Sequence, residues 1–490
     1  MSPRAKPAAG RARRPGRAAA RERRGVALIL VLATITVLTV VLAEFQDEAS
    51  TESVSVLSER DALRAEYAAR SAINLGRLLV AAEPTIRQAI GPLLGLMLGG
   101  GGAPQIPVWE FGDRILGAFN DAEGNAAFGA LAGVDLSTGK NLGMKGVRFE
   151  VTIVDEESKL NLNMAARGEA NTQQRLSLEL LGLMAGDQYN PLFENRDAEG
   201  QFSDRQTICG ALVDWADPDE ALFSCDPRNA QATSSGGEDA YYQTLPVPYR
   251  RKNAAYDSLA ELHLVRGVSD DFYATFLDPD PDDPRRRVVT VWGTGAVNVN
   301  TANAQTLLAI VCGAAKLPET QMCVDPLLGQ KFLTAVGLMR GFTAGAPVFP
   351  SPRAFVNAMQ GKGMFGQVLT GMLGLEPVQF LSASEVQRMV ATESKMFSIY
   401  AEGQVKGYRR EARVRAHAVV DFRPGAQTGQ QNVSGSVGTS GSGGGAGGPG
   451  AAGTPGAAGT SGAADPRAAL PTGPTAGPEG AGTLVYFRIE

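Results

Sequence analysis

The chain begins with a charged head followed by one long apolar segment. Residues 26–43 contain no charged side chain, and a helix of that length spans about 27 Å, close to the hydrocarbon thickness of a bilayer. Residues 1–25 carry nine Lys or Arg and one Glu, so the positive-inside rule keeps them cytoplasmic. The pattern predicts a single-pass protein of the inner membrane with the bulk of the chain in the periplasm.

The apolar segment continues into a region with helical periodicity. Between residues 44 and 79 there is no Pro and only one Gly, Gly76, and apolar residues recur at three- and four-residue steps. That spacing gives one buried face of a helix. The sequence therefore predicts one N-terminal helix over 26–82 that spans the membrane in its first part.

Alternation of apolar and polar residues replaces the helical period in three later places. Residues 147–153 alternate as a half-buried strand does. Residues 397–403 and 412–416 alternate around Lys406 and Gly407, which predicts a hairpin, and residues 484–489 read as a final strand. Between the first two regions the signal is mostly helical.

These patterns predict an α+β fold. A long N-terminal transmembrane helix packs on a small antiparallel sheet, and a large α-helical domain is inserted into that sheet. The predicted domains are a leader (1–25), the N-terminal helix (26–82), a β region (83–170), the inserted helical domain (171–392), a β hairpin (393–423), a flexible loop (424–483) and the final strand (484–490).

The predicted flexible loop has an unusual composition. Residues 424–483 hold 19 Gly and 7 Pro, with charges only at Asp465, Arg467 and Glu479. Such a stretch buries too little apolar area to offset the entropy of ordering it. Because a strand follows it, we interpret the stretch as an insertion before the last strand of the sheet.

Charge and composition exclude several function classes. Net charge is −5, but the first 25 residues are strongly basic and the remainder is acidic, which argues against nucleic-acid binding by the folded part. Only two histidines occur, His263 and His417, which disfavours a His-based triad or a multi-His zinc site. The sequence shows no nucleophile–base pair, P-loop or dinucleotide fingerprint, so we do not expect an enzyme.

The junction between head and apolar segment resembles a class III prepilin leader. Arg23-Arg24-Gly25 directly precedes the apolar helix. In pilins and pseudopilins a prepilin peptidase cuts after this Gly, and the new N-terminal residue, here Val26, is methylated. Most members carry Glu at the fifth mature position, whereas this chain carries Leu30. That departure resembles the protein K family of type II secretion minor pseudopilins.

Further blocks resemble the same family and follow its order along the chain. They are VDEESKLNLN (154–163), LVDWADPD (212–219), GEDAYY (237–242), PYRRKN (248–253), SLAEL (258–262) and VNVNTA (297–302). The resemblance implies a pilin-like sheet interrupted by a helical domain. It also implies a place at the tip of the type II secretion pseudopilus, where the family helps initiate assembly and the export of folded proteins.

The resemblance implies partners as well. They are the minor pseudopilins I and J, then H, the inner-membrane secretion platform, and the prepilin peptidase. Leu30 marks the tip position in this interpretation: a subunit with nothing above it meets no neighbouring N-terminal amine, so it needs no Glu there, where a buried unpaired charge is costly.

Two alternatives remain open. An ordinary secretory signal would end near Val41-Leu42-Ala43, and a signal peptidase would then release a periplasmic calcium-dependent binding protein or hydrolase that begins at Glu44. A type IV pilus minor pilin shares the leader. Sequencing of the mature N-terminus distinguishes Val26 from Glu44.

An acidic cluster is the candidate metal site. Asp214, Asp217 and Asp219, with Glu238 and Asp239 further on, supply the hard oxygen ligands that Ca²⁺ prefers, without the spacing of an EF-hand. The alternative is a solvated acidic loop. The resemblance favours calcium, because the family's K proteins bind it in the helical domain.

The four cysteines form two near pairs. Cys209 and Cys225, and Cys312 and Cys323, would each close a short loop in an oxidising periplasm. The alternative is four buried thiols. With the predicted topology we favour disulfides.

Overall fold

The computed structural model describes residues 18–97, 105–117, 119–120, 146–194, 196, 202–226, 233–317, 319–343, 345–407, 410–423 and 482–489. The first part of the predicted leader, residues 1–17, and the Gly/Pro-rich stretch up to residue 481 lie outside these ranges.

The α-helices are α1 (Ala18–Met97), α2 (Gly112–Gly117), α3 (Ala170–Leu183), α4 (Asn190–Glu194), α5 (Arg205–Asp214), α6 (Asp270–Phe272), α7 (Ala304–Ala314), α8 (Pro326–Phe342), α9 (Pro352–Met359), α10 (Gly363–Gln367) and α11 (Ala383–Met389). Short 3₁₀-helices cover Val108–Phe111, Glu156–Ser158, Leu162–Arg167, Asp187–Tyr189, Glu238–Ala240, Tyr242–Thr244, Leu259–Leu264, Pro284–Arg286 and Gln321–Cys323, and π-helical turns cover Tyr273–Leu277 and Val368–Met372. The strands are β1 (Val147–Asp155), β2 (Leu160–Asn161), β3 (Ala221–Phe223), β4 (Thr233–Gly237), β5 (Val289–Thr290), β6 (Val297–Asn298), β7 (Val390–Ala391), β8 (Met396–Lys406), β9 (Glu411–Asp421) and β10 (Thr483–Ile489).

The helix α1 is longer than the predicted 26–82 at both ends. It begins within an Ala- and Arg-rich stretch, whose residues are good helix formers, so Gly25 alone does not set its start. It also passes through Pro84 and Pro92. A proline removes one backbone hydrogen bond and can kink a helix, but the bonds on either side carry the helix onward.

The two halves of α1 have different surroundings. In the described chain one helix, within Val26–Ala89, is long and apolar enough to cross a membrane. Its first apolar residues, such as Val26 and Leu42, are exposed, whereas Ala65 and Val80 further along are buried. The same helix therefore offers an apolar surface to a membrane and then a packing face to the protein.

Four strands form one antiparallel sheet in the order β1-β8-β9-β10. β1 runs beside β8 from the pair Val147 and Val405 to the pair Asp155 and Phe397, and β8 and β9 form the predicted hairpin. β10 pairs with β9 at the sheet edge. The burial of alternate residues in β1 is the pattern that its sequence predicts.

α1 packs across one face of this sheet through small residues. Ala69 and Ala72 lie in one buried cluster with Ile153 of β1 and Ile399 of β8. Gly76 allows close contact, since a Cβ there would lie 3.1 Å from Cγ2 of Ile399. The predicted α+β class, with a long N-terminal helix on an antiparallel sheet, is confirmed.

A large helical insertion separates β1 from β8 and has its own core. The insertion is mainly helical, as predicted, but also contains the β3–β4 hairpin and two short parallel pairs, β2 with β5 and β6 with β7. Its tightest contact joins α3 to α7: a Cβ on Gly182 would lie 1.9 Å from the carbonyl oxygen of Ala309. Glycine allows the backbones of α3 and α7 to approach closely, and both helices supply residues to the core of the insertion.

Buried polar groups join the sheet to the insertion. Asp155, at the end of β1, accepts hydrogen bonds from the hydroxyls of Ser394 (2.5 Å) and Thr301 (2.6 Å). Glu157 accepts one from the backbone N–H of Lys395 at 2.6 Å. Burial raises the pKa of Asp155 to about 7, although both hydroxyls act in the opposite direction. One network of hydrogen bonds therefore joins the point where the chain leaves the sheet, after β1, to the point where it returns, before β8.

Candidate metal centre

The end of α5 positions the first predicted ligand, Asp214. Asp204 begins the helix by accepting a hydrogen bond from the N–H of Thr207 at 2.8 Å, as a helix cap does. Asp214 closes the helix, is 4% exposed, and accepts a hydrogen bond from the backbone N–H of Phe223 in β3 at 2.8 Å. This bond fixes the carboxylate against the β3–β4 hairpin.

The hairpin brings a second carboxylate to the same place. Ala221 of β3 pairs with Gly237 of β4, and Glu238 follows directly. The side chain of Glu238 is fully buried. Glu238 lies more than twenty positions after Asp214 in the chain, and the pairing of β3 with β4 brings the two carboxylates together.

The third carboxylate lies in the turn after α5. Asp217 is 1% exposed. Its Oδ2 accepts a hydrogen bond from the amide of Gln173 in α3 at 3.2 Å. Its Oδ1 is buried and has no hydrogen-bond donor among the described residues. A buried oxygen without a donor is costly to maintain, so this atom is a candidate metal ligand.

Asp214, Asp217 and Glu238 form one group. Each offers a carboxylate oxygen, and these oxygens all lie within 4.8 Å of one another. Burial is the main cause that raises the pKa of Asp214 to about 8 and the pKa values of Asp217 and Glu238 to about 7, and repulsion between neighbouring carboxylates adds to it. Three acids held together against their own repulsion favour a bound cation.

The other two predicted ligands lie at the edge of this group. Asp219 is exposed, and its Oδ1 accepts a hydrogen bond from the N–H of Ala221 in its own loop. Asp239 is partly exposed and accepts a hydrogen bond from the N–H of Arg251 at 3.1 Å. The structure thus brings three of the five carboxylates together and leaves these two with other donors.

Asn253 is a neighbour that the sequence analysis did not identify. It adopts a positive φ of 54°, and its backbone N–H donates to the carbonyl of Trp215 at 3.0 Å. Its side-chain amide lies against the carbonyl oxygens of Asp217 and Asp219. Amide and main-chain oxygens are common calcium ligands alongside carboxylates.

Arg251 is the second residue that the sequence analysis missed. Its side chain is 2% exposed and contacts the carboxylate of Glu238 through Nε. The same Nε donates to the carbonyl of Asp214 at 2.9 Å. Its position in a basic run soon after the acidic cluster was a visible signal, but the run itself does not say which basic side chain turns inward.

The residues present fit a calcium ion. The donors are hard oxygens, three of them on buried carboxylates, and Oδ1 of Asp217 and Oε1 of Glu238 have no donor among the described residues. The group also differs from a solvated acidic loop, because its three members are buried.

The cysteines lie in two disulfides. Cys209 of α5 is joined to Cys225 after β3, with Cα atoms 6.0 Å apart, and so ties the helix that carries Asp214 to the hairpin. Cys312 of α7 is joined to Cys323 before α8, with Cα atoms 5.4 Å apart, and so ties α7 to the turn that precedes α8.

The predicted processing residues lie within α1. Gly25 is inside the helix, and Val26 and Leu30 are 59% and 61% exposed. Exposure of these apolar side chains is what a membrane-embedded segment shows in the absence of lipid.

Within the described ranges, a Ser–His pair joins β8 and β9, which the sequence did not indicate. The ring of His417 in β9 lies 3.1 Å from the hydroxyl of Ser398 in β8 and stacks on Tyr400 with ring centroids 4.1 Å apart. Ser398 is fully buried, and burial lowers the pKa of His417 to about 4. A serine without access to substrate and a histidine of such low basicity make this pair a packing contact between strands.

Comparisons with known proteins identify a family over part of the chain. A family model described as "Type II secretion system (T2SS), protein K" matches residues 158–278. The chain is 29% identical over 147 residues to the type II secretion system protein K of Pectobacterium carotovorum subsp. carotovorum, over 28% of this chain and 40% of that protein. It is 30% identical over 144 residues to the protein of the same name from Aeromonas hydrophila, over 27% of this chain and 40% of that protein.

The chain spans about two fifths of the length of these curated relatives. Among solved structures, it is similar to a chain in the crystal structure of the GspK-GspI-GspJ complex from the enterotoxigenic Escherichia coli type 2 secretion system. That similarity has a TM-score of 0.34 and 15% identity, over 57% of this chain and 77% of the other. The predicted resemblance to protein K is confirmed by the family match, and the matched residues include all five predicted carboxylates.

Proposed function

We propose that this chain is a minor pseudopilin at the tip of a type II secretion pseudopilus, where it helps initiate assembly and the export of folded proteins across the outer membrane. The observation that carries the proposal is the match of residues 158–278 to protein K of that system. In this function the chain is a structural component and not an enzyme.

The division of α1 supports this proposal. A filament subunit needs an apolar helix that rests in the inner membrane before assembly and a globular part that remains in the periplasm. α1 supplies both, since its residues near Val26 are exposed and its residues near Ala69 are buried against the sheet.

Leu30 supports placement at the tip. A Glu at this position would lie about one helical turn into the bilayer, where a charge without a partner costs several kcal/mol. In the body of a filament the N-terminal amine of a neighbour would supply that partner. A subunit with no neighbour above it avoids the cost by carrying Leu.

The proposed partners follow from the same function. They are the minor pseudopilins I and J, then H, with the inner-membrane secretion platform and the prepilin peptidase. The structure of GspK with GspI and GspJ from Escherichia coli is a precedent for such a complex in a similar protein.

Calcium belongs to the proposal as a structural ion. Asp214, Asp217 and Glu238 would hold it, with the amide of Asn253 nearby. The ion would neutralise three buried carboxylates and so fix the turn after α5 against the β3–β4 hairpin. Calorimetric titration with CaCl₂ should give binding to the wild type and none to Asp217→Asn. Asp271→Asn, which changes an exposed acid elsewhere in the insertion, should bind as the wild type does.

The mature N-terminus tests the main proposal. Mass spectrometry of the protein from its native membranes should find Val26 as the first residue, methylated, and Gly25→Leu should keep the leader. A mature protein that begins at Glu44 would instead indicate a secreted binding protein or hydrolase. Co-purification with type IV pilus subunits in place of the I and J pseudopilins would indicate a type IV minor pilin.

A further inference from the structure

Among the residues that the structure describes, Arg251 is the cation in direct contact with Asp214, Asp217 and Glu238, and its contacts form two sets. On the inner side its Nε meets Glu238 and donates to the carbonyl of Asp214. On the outer side one terminal nitrogen donates to the carbonyl of Asp219 at 2.6 Å and to the carboxylate of Glu220 at 3.2 Å, and the other lies 3.8 Å from the carboxylate of Asp239. The guanidinium is therefore held from both sides.

Its hold on Glu238 is partial. Nε of Arg251 contacts Oε2 of Glu238, and Oε1 of the same carboxylate has no donor among the described residues. Oδ1 of Asp217 likewise has none. Arg251 therefore leaves these two carboxylate oxygens available to a bound cation.

The net charge of the buried side chains at the site is equal and opposite to that of a divalent cation. Asp214, Asp217 and Glu238 contribute three negative charges when ionised, and the guanidinium of Arg251 contributes one positive charge. The remainder of two negative charges equals the charge of Ca²⁺. Ligand charge is one of the quantities that set the affinity and selectivity of calcium sites.

We propose that Arg251 sets the charge selectivity of this site, so that it takes a divalent ion in preference to a trivalent one. The inference rests on the proposed calcium binding and names a residue that determines its specificity. Because Coulomb energy scales with the product of the charges, loss of Arg251 strengthens binding of a trivalent ion more than binding of a divalent ion of similar size.

The test compares Ca²⁺ with Tb³⁺, a trivalent ion of similar size. Full-length protein in detergent is titrated with CaCl₂ by calorimetry and with TbCl₃ by luminescence, which Trp215 next to Asp214 can sensitise. In Arg251→Gln the ratio of the calcium Kd to the terbium Kd should rise about tenfold or more over the wild type. Arg251→Lys keeps the charge and should stay within about threefold of the wild type.

Each outcome decides something separate. If the wild type binds neither ion, the proposed calcium site is wrong. If the wild type binds both ions and Arg251→Gln leaves the ratio unchanged, the role of Arg251 is wrong while the calcium site stands. Equal changes in Arg251→Gln and Arg251→Lys would also overturn the proposal, because they would make the shape of arginine responsible and not its charge.

A second variant covers the case in which Arg251→Gln does not fold. The pair Arg251→Gln with Glu238→Gln removes the buried ion pair as a unit, which proteins tolerate better than removal of one partner. It leaves two carboxylates and the same net charge, so the ratio should stay within about threefold of the wild type while both affinities fall. A ratio raised about tenfold in this pair would contradict the charge argument.

Discussion

Gly403 of β8 lies directly against Ala65 of α1. A Cβ built on Gly403 would lie 1.9 Å from the carbonyl oxygen of Ala65, and Ala65 itself is fully buried. Helix and sheet backbones therefore meet here with no side chain between them, which only glycine permits. This contact joins α1 to β8, one of the two central strands of the sheet.

Gly403→Ala should accordingly separate α1 from the sheet. Overpacking of a tight core costs about 1–3 kcal/mol, and a clash with backbone falls at the upper end of that range. Thermal unfolding followed by circular dichroism should show the loss. Gly337→Ala is the matched control, because a Cβ at Gly337 in α8 meets nothing within 4 Å and should leave stability equal or slightly higher.

The disulfide Cys209–Cys225 should support the metal centre, whereas Cys312–Cys323 should not. Removal of either crosslink by paired Cys→Ala changes should cost about 3 kcal/mol, given closed loops with separations of 16 and 11 residues. Only loss of Cys209–Cys225 should also weaken calcium binding, since it ties α5 to the hairpin. Equal calcium affinities in the two variants would show that the hairpin is held without the crosslink.

Glu179 should make the protein less stable as the pH rises. It is fully buried in α3, neither carboxylate oxygen has a donor among the described residues, and burial raises its pKa to about 8. Between its unfolded pKa near 4.5 and about 8 the native state keeps a proton that the unfolded state has released. The free energy of unfolding therefore falls across that window, by an amount on the order of 5 kcal/mol from this group.

Glu179→Gln should remove this contribution. Urea unfolding at pH 5 and pH 8 should show a smaller loss of stability in the variant than in the wild type. The change Glu376→Gln, at an exposed position, should leave the wild-type difference intact. Identical pH dependence in wild type and Glu179→Gln would mean that the buried carboxyl has a partner in solution.

Leu30→Glu should weaken assembly of the proposed tip complex. The change places a carboxylate in the apolar part of α1, at a cost of about 3 kcal/mol when unpaired. Co-purification of the I and J pseudopilins with the membrane-extracted chain should fall, while Leu30→Met should leave it unchanged. Unchanged or improved recovery with Leu30→Glu would show that Leu30 is only a hydrophobic anchor.

The stretch 428–480 should be dispensable for folding. Asp421 and Thr483, which flank the Gly/Pro-rich sequence, are direct partners in the β9–β10 ladder, so a short connection can join the two strands. Loop closure changes by about 0.6 kcal/mol for each halving of length. Replacement by a short Gly/Ser linker should therefore leave the melting temperature nearly unchanged, and loss of the folded state would mean that the stretch packs on the protein.

The sheet could be predicted because its strands keep one face against α1. Residues such as Val151 and Ile153 must then alternate with polar neighbours, and a period of two is visible in any sequence. The C-terminal end of α1 was predicted at residue 82, whereas the helix runs through Pro84 and Pro92 to Met97, just before the Gly-rich residues 99–102. A sequence pattern predicts a strand or a helix end only where contacts with residues distant in the sequence do not change the local backbone.

The metal centre was predictable in part for a similar reason. The carboxylates of Asp214 and Glu238 are of the type that binds Ca²⁺, but the spacing of the acidic residues in the sequence does not show which of them turn inward. Asp219 accepts a bond in its own loop, and Arg251 enters from a segment more than thirty residues away. The sequence shows a basic run after the acidic cluster, but only the fold determines that Arg251 is the member of the run that turns inward.

The placement of the insertion also has a kinetic consequence. Asp155 and Phe397 face each other in the ladder of β1 and β8, yet the whole helical insertion lies between them in the chain. Pairing that is so remote in sequence has a high contact order and carries a large loop-closure entropy, so it is slow if it must occur first. Folding of the insertion brings its two ends together and shortens the effective loop. During synthesis α1 and β1 are made before their partner strands, so we expect the sheet to be completed last.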